Sequence, residues 1–440
     1  MAQFFKPQRR KVADTRHKLI KITRLDTQGA GVGGLDGKTV FVEGVLPGEE
    51  ALIQITEQKR QYARAKLIKV QQASSQRQAP FCQYYGRCGG CNLQHLTYSA
   101  QVEHKKSALV QLMSRAAGEN VEAVTTETLS SQDQSYRRSC RLSLWVDKQH
   151  QLQMGFRQRS SKAIIDIARC PVLMPSLSAL LPELKALLVS FTQPKQLGHI
   201  ELVEADNGVV LMLRHLSGLK ADHLARLDAF AATHQLMLFT SVDGQTIVQR
   251  QGEKPFYTIE GEKIWFTPGD FIQINRTVNA AMVARALAWL EPTASDRVLD
   301  LFCGLGNFSL PLARQVAEVV GVEGVDDMVA RAKKNAEHNQ IHNAAFYQAN
   351  LEDDIHTQPW AQKAFNKVLL DPARGGAAGV MAHLLSLAPQ RIVYVSCNPA
   401  TLARDSKELL DNGYRLSKLC AMDMFPHTGH SESMALFTKL

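Results

Sequence analysis

From about Asp270 onward the chain alternates short apolar runs, RVLDLF, VVGVEGV, FNKVLLD and RIVYVSC, with stretches of helical periodicity. Runs that are apolar throughout suit strands covered on both faces, and strand–helix alternation suits a doubly wound parallel sheet. Open sheets of this kind bind ligands beyond the carboxyl ends of their strands. Polar residues stand at those ends: Asp300 and Glu323 on the first two runs, Asn350 after a third run closing in QAN, and Asp371 in LLDPAR. Four such groups on one edge define a candidate ligand site.

Gly304 and Gly306 follow the first run and let the backbone approach a ligand, but position 309 is Ser where a dinucleotide fingerprint wants a third glycine. Glu323 lies seventeen residues beyond Gly306, and a carboxylate there can accept both hydroxyls of a ribose. The pattern suits a methionine-nucleoside cofactor better than a nicotinamide one.

The last run ends in Ser396-Cys397-Asn398-Pro399. A lone cysteine is as a rule a small buried hydrophobe. At a strand end facing a cofactor, however, a thiolate can add to carbon 6 of a uracil and turn carbon 5 into an enolate carbon able to attack a methyl donor. Such chemistry needs a cysteine and, later, a base for the carbon 5 proton. Downstream, the loop PHTGHSES carries His427, His430 and Glu432 between two strand-like segments. The spacing does not match a helical H-E-x-x-H metal site, so Glu432 is read as the general base.

The first half of the chain reads differently. Short β-type runs from Leu19 to Val70, divided by Gly-rich turns, suggest a small barrel; QQASSQRQAP then reads as a linker, and a helix is expected over about Tyr98 to Ala117. Residues 136–265 alternate as strands with one helical interval near Leu177 to Phe191. At 440 residues two or three domains are expected. Cys82, Cys88 and Cys91 form C-x5-C-x2-C with Gly89 and Gly90 between them. A fourth ligand would come from Cys140, Cys170, Cys303 or Cys420, with Cys170 favoured by the Pro that follows it, and spacing does not separate zinc from iron–sulfur. The start, MAQFFKPQRRK, has no apolar core after its charges, so a cytoplasmic protein with thiols rather than disulfides is expected.

Net charge is +9, which favours a polyanionic partner. The excess is clustered: Lys6, Arg9, Arg10, Lys11, Arg16, Lys18, Lys21 and Arg24 stand against Asp14 alone, and Lys59, Arg60, Arg64, Lys66 and Lys69 form a second group around Tyr62. Basic residues interleaved with an aromatic ring suit single-stranded nucleic acid. No run is long and apolar enough for a membrane span.

Taken together, DFIQIN, LDLFCGLGNFSLPLA, LLDPAR, VSCNPATLARD and MFPHTGHSESMAL resemble the bacterial uracil-C5 RNA methyltransferases over nearly the whole chain. The branch acting on 23S ribosomal RNA is the nearer one, because Leu19 to Val70 resembles the TRAM barrel that the transfer RNA branch lacks. Ala373 also departs from the Asp-Pro-Pro-Arg of that other branch. The resemblance implies a multidomain chain: an N-terminal OB-like TRAM β-barrel at 12–72, a β-rich central domain at 76–268 with an iron–sulfur cluster, and a C-terminal α/β class I (Rossmann-like) methyltransferase domain at 269–440, with the 98–117 helix packed on it. It implies a [4Fe-4S] cluster on Cys82, Cys88, Cys91 and Cys170. It implies S-adenosyl-L-methionine contacts from Gln273, Phe302, Asn307, Glu323, Asn350 and Asp371, with Cys397 as nucleophile, Glu432 as base and 23S ribosomal RNA as substrate; no protein partner is implied. An RNA cytosine-C5 methyltransferase would carry a Pro-Cys on the fourth strand, and LLDPAR has none. A non-enzymatic RNA-binding protein would have no use for Cys397 and Glu432.

Overall fold

The computed structural model describes residues 16–242, 244, 246–351 and 358–440. Lys6, Arg9, Arg10, Lys11 and the expected barrel start at 12 lie outside the described residues. Two compact units divide the chain: Met1–Tyr85, Cys91–His104 and His427–Gly429 form one, and Gly86–Gly90, Lys105–Pro426 and His430–Leu440 the other.

In the first unit β1 (His17–Leu25), β2 (Gly31–Leu35), β3 (Lys38–Val42), β4 (Glu50–Gln58) and β5 (Tyr62–Gln72) close into a barrel of order β1-β2-β3-β5-β4. Alternation along the strands sends Ile20, Ile22, Val40, Val42, Ile53 and Ala63 into its core. Gly33 permits closure, since a Cβ there would stand 2.5 Å from the carbonyl oxygen of Lys21. Lys59, Arg60, Arg64, Lys66 and Lys69 are exposed on the outside.

The helix α1 (Tyr98–Ala117) follows, and its Leu109 and Met113 join an apolar core of the second unit with Leu299, Val368 and Ile392. Next comes a seven-stranded sheet of order β12-β11-β10-β9-β6-β7-β8, from β6 (Ser139–Val146), β7 (Leu152–Arg157), β8 (Ile164–Asp166), β9 (Leu197–Ala205), β10 (Gly208–His215), β11 (Leu236–Val242) and β12 (Ile247–Gln251). Within it α2 (Pro175–Val189) accounts for the expected helical interval, and α3 (Ala221–Thr233) is a second helix where strands alone were expected. Its buried residues, His223, Leu227 and Ala231, recur every fourth position but include one large apolar side chain, so the helical stripe is faint in the sequence.

A hairpin, β13 (Phe256–Ile259) and β14 (Glu262–Trp265), leads through α4 (Arg276–Leu290) into the last sheet. That sheet has the order β17-β16-β15-β18-β19-β21-β20. Its strands are β15 (Arg297–Leu301), β16 (Glu318–Glu323), β17 (Ala344–Gln348), β18 (Lys367–Leu370), β19 (Arg391–Ser396), β20 (Tyr414–Met422) and β21 (Glu432–Lys439); α5 (Ser309–Ala313), α6 (Asp326–His338), α7 (Ala378–Leu387) and α8 (Pro399–Asp411) intervene. β15 to β19 are parallel, as the apolar runs predict, and β21 is inserted antiparallel between β19 and β20. No described helix is long and apolar enough to cross a membrane.

The expected cluster-bearing central domain is corrected by the structure. Among the described residues no group of three His, Cys, Asp or Glu side chains is gathered as a metal site. Cys82 and Cys91 belong to the first unit, and Cys88 and Cys170 to the second. Local bonds take up their loops: the Cys82 N–H donates to Gln94 Oε1 at 3.2 Å, the Gly90 N–H to Cys88 Sγ at 3.4 Å, and the Cys170 N–H to Ser178 Oγ at 3.1 Å. Spacing along the chain does not by itself converge four thiols on one point.

Candidate active site

The parallel strands of the last sheet end on one edge, where the turn after β15 is wound tightly. Phe302 has φ +62°, Gly304 +55° and Gly306 +96°, the left-handed region that side chains rarely adopt. Glu323, the last residue of β16, holds this turn, its Oε2 accepting the Gly304 N–H at 3.2 Å and its Oε1 the Val325 N–H at 3.1 Å. A carboxylate bonded twice still has acceptor capacity for a ligand.

Asp300 is not at the open edge where the sequence put it. It lies inside β15, fully buried, with Oδ2 bonded by the Ser309 hydroxyl and Oδ1 without a partner. Burial, with Asp371 and Glu323 nearby, pushes its carboxyl up to about 7 against the lowering effect of Ser309. It braces the turn from beneath. Phe302, Glu323, Asn350, Gly376, Ala377 and Val380 are among the residues lining a cleft of about 210 Å³. Asn307 and Gln273 do not line it. The Asn307 side chain is engaged by Asn279 in both directions, at 3.0 and 3.2 Å, and by the Tyr257 hydroxyl at 3.1 Å. Gln273 sits half-buried before α4.

Gly376 and Ala377 went unnoticed in the sequence because they act through backbone. The loop carrying them is pinned by Asp405 of α8, whose Oδ2 accepts the Ala377 N–H at 2.8 Å and the Tyr394 hydroxyl at 2.7 Å. Replacing Asp405 by alanine strands these two donors in the core. At roughly 1–3 kcal/mol for each unpaired buried group, a loss of about 2–4 kcal/mol is expected, read as a lower urea midpoint at unchanged slope. An unchanged midpoint would remove Asp405 as the pin.

Cys397 follows β19 directly. In the pairing of β19 with β21, Ser396 faces Ser433, and the Ser433 hydroxyl donates to the Ser396 carbonyl at 3.1 Å. The β19–β21 pairing ends there, one residue short of Cys397 and of Glu432, and Glu432 is close enough for its charge to act on the Cys397 thiol. Glu432 was expected in a loop, but it opens β21, opposite Met422 of β20, and is buried. Burial and then Glu432 and Asp371 push the Cys397 thiol up to about 11, with Arg374 opposing them. Burial and then Asp371 likewise hold Glu432 well above the usual carboxylate range. Asp371 itself, beyond β18, is pushed up to about 7 by burial.

Arg374 is the cation of this group, and the sequence offered it only as part of LLDPAR. Its carbonyl accepts from Asn398 Nδ2 at 3.2 Å, while Asn398 Oδ1 caps α8 by accepting the Ala400 N–H at 3.2 Å. The Arg374 guanidinium stands 3.4 Å from His430 Nδ1. Partial burial and the charges of Arg374, Lys105 and Arg137 hold His430 below its usual range. His427 belongs to the first unit and is a core residue, with its ring 4.9 Å from Phe81 and Nδ1 3.1 Å from the Gln101 amide.

Residues 97–440 match the family model described as tRNA (Uracil-5-)-methyltransferase, and residues 16–68 match the TRAM domain. The chain is 55% identical over 440 residues to the 23S rRNA (uracil(1939)-C(5))-methyltransferase RlmD of Vibrio cholerae, covering 100% of both chains. It is 51% identical over 453 residues to the protein of the same name in Photobacterium profundum, covering 100% of this chain and 97% of that one. Among solved structures it is similar to the Pyrococcus abyssi tRNA (uracil-54, C5)-methyltransferase in complex with S-adenosyl-L-homocysteine. The TM-score is 0.74 at 26% identity, over 95% of this chain and 99% of that one.

Proposed function

Because the chain belongs to the tRNA (uracil-5-)-methyltransferase family, we propose that it transfers a methyl group from S-adenosylmethionine to carbon 5 of a uracil in 23S ribosomal RNA. The substrate follows the names of its full-length relatives. The chemistry rests on one observation above the others: Cys397 and Glu432 adjoin the paired Ser396 and Ser433 of β19 and β21, and Glu432, Asp371 and Arg374 are the charges that act on the Cys397 thiol.

In this reading the Cys397 thiolate adds to carbon 6, and the electron pair of the 5,6 double bond moves toward the carbon 4 oxygen. Carbon 5 then takes the methyl group, which the cofactor supplies on its sulfonium sulfur. Glu432 removes the carbon 5 proton, the electrons restore the double bond, and the Cys397 sulfur leaves as thiolate. Arg374 offsets the negative charge of the thiolate. Asp371, whose carboxyl is pushed up to about 7, is suited to hydrogen-bonding the polar edge of the ring. The target base must leave its stack for sulfur and methyl donor to reach opposite faces of the ring.

The cleft fits the cofactor's nucleoside, with the Glu323 carboxylate for the ribose, Asn350 as a polar neighbour, and Phe302 and Val380 as apolar walls. Asn307 fits as a brace, being bonded to Tyr257 and Asn279; Gln273 is not among the residues lining the cleft. Glu323→Ala should therefore weaken cofactor binding by about tenfold to a hundredfold, since charge-assisted hydrogen bonds contribute roughly 1.5–3 kcal/mol. Calorimetric titration checks this, with Glu323→Gln retaining part of the affinity; unchanged binding in both variants would sink the assignment. The function as a whole is tested by tritium release from RNA labelled at uracil carbon 5, together with mass spectrometry of 23S ribosomal RNA from a deletion strain. A full complement of methyluracil in that strain would reject the proposed substrate.

A further inference from the structure

One face of the sheet β6 to β12 is covered by α2 and α3. Along β6, Cys140, Leu142 and Leu144 are buried, so Arg141, Ser143 and Trp145 belong to the opposite face. The register carries that face across the sheet. Ser143 faces His199, which faces Arg214, while Arg141 faces Glu201, which faces Met212. Part of it is closed: Val203, Val210, Met212 and Phe239 share a core with Tyr257 of the hairpin and Met282 of α4. The remainder is open. Trp145 is 64% exposed, and the Arg141 side chain 61%.

Trp145 thus presents an exposed indole on the same face as Arg141 and Ser143. The charged side chains nearby are Arg141, Arg214, Glu201 and, two residues beyond Trp145, Asp147, whose carboxylate accepts from Gln153 Nε2 at 2.9 Å. Glu201, 9% exposed, is occupied by Arg141 at 3.2 Å and by the Gly269 N–H at 3.0 Å. His199 is held down to about 4 by burial and then by Arg141 and Arg214, so it is neutral and the guanidinium groups carry the charge. An indole plane beside guanidinium groups matches a nucleic-acid strand, with π-faces for stacking and phosphates for the cations. The closed part of the same face packs on the hairpin and α4, the segments that lead into the catalytic sheet.

We propose that this open half-face of the central sheet binds a single-stranded stretch of the RNA substrate flanking the target uracil, with a base stacked on Trp145 and phosphates on Arg141 and Arg214. The proposal rests on the reading of the chain as an RNA methyltransferase and adds a second contact surface to it.

Trp145 also supplies the probe, since Trp289 and Trp360 are 5% and 3% exposed and Trp265 is half-buried. The full chain is titrated with a single-stranded RNA fragment of about twelve nucleotides containing the target uracil, following tryptophan emission and, separately, filter binding. Wild-type emission should be quenched on binding, and Trp145→Leu should lose the quench. Its RNA affinity should fall about tenfold, with KM for RNA rising in step and kcat and cofactor affinity unchanged, while Trp145→Phe regains most of the loss. Arg141→Gln should lower the salt dependence of binding by about one phosphate contact. If wild type binds and methylates the fragment with unquenched emission and Trp145→Leu binds as tightly, the surface is wrong and the function stands. If wild type neither binds nor methylates RNA, the functional reading falls and this surface with it.

Discussion

Replacing Cys397 by alanine should abolish methyl transfer, by about four orders of magnitude or more, while leaving cofactor affinity as it was. The asymmetry follows from where the side chain sits. Cys397 follows β19 and feels the charge of Glu432, whereas the proposed cofactor cleft is lined by Phe302, Glu323, Asn350 and the Gly376–Ala377 loop. In the proposed mechanism, removing the thiol takes away the bond to carbon 6, without which carbon 5 is not nucleophilic, and leaves the cleft intact. The same residue sets a pH dependence. With the thiol at about 11 in the free enzyme, the reactive thiolate is a small minority at neutral pH, and its fraction rises about tenfold per pH unit. The logarithm of kcat/KM should therefore climb with a slope near +1 across neutral pH, and bound cofactor, through its positive sulfonium, would shift the curve to lower pH. A Cys397→Ala enzyme that still methylates, checked by tritium release, would rule out covalent catalysis.

Glu432→Gln should fail at the opposite end of the reaction. Glutamine matches the glutamate in size and relieves a carboxyl that burial and Asp371 already disfavour as an anion, so the fold should hold. Addition of Cys397 and methyl transfer need no base at this position. Loss of the carbon 5 proton does, and without it the carbon–sulfur bond cannot break. Enzyme should accumulate as a protein–RNA adduct carrying the new methyl group, visible as a retarded band on a denaturing gel. Wild type and Cys397→Ala under the same conditions should show no such band. Normal turnover by Glu432→Gln would move the base elsewhere, to His430 next to Arg374, and not to His427, which is packed against Phe81 and Gln101.

The two ends of the chain were legible for different reasons. The barrel announces itself by alternation broken at glycines, and the last sheet by strands apolar on both faces, patterns that depend only on neighbours in sequence. Failures begin where a side chain's surroundings come from elsewhere. Asp300 reads like Glu323, as an acid closing a β run, yet it lies within its strand and meets Ser309 instead of the cleft. Glu432 reads as a loop residue because the apolar run starts only at Met434, and its strand pairing depends on β19 and β20. Asp405 and Ala377 meet through a side chain and a backbone amide twenty-eight residues apart, a contact with no pattern to betray it. The cysteine spacing shows the converse: Cys82, Cys88 and Cys91 are close in sequence, yet among the described residues no metal-holding group gathers around them.

The insertion of β21 between β19 and β20 also governs which changes to the gene this enzyme can inherit. Met434, Ala435, Leu436 and Phe437 are each at most 1% exposed, so both faces of the strand are committed to cores. Gaining or losing one codon there would turn each side chain beyond it to the opposite face. Both cores would be misfilled, and Ser433 and Glu432 would slip out of step with Ser396 and Cys397. Lineages can therefore exchange residues in this strand one at a time, but its length is frozen, and the proposed catalytic pair is inherited as a spacing as much as two side chains.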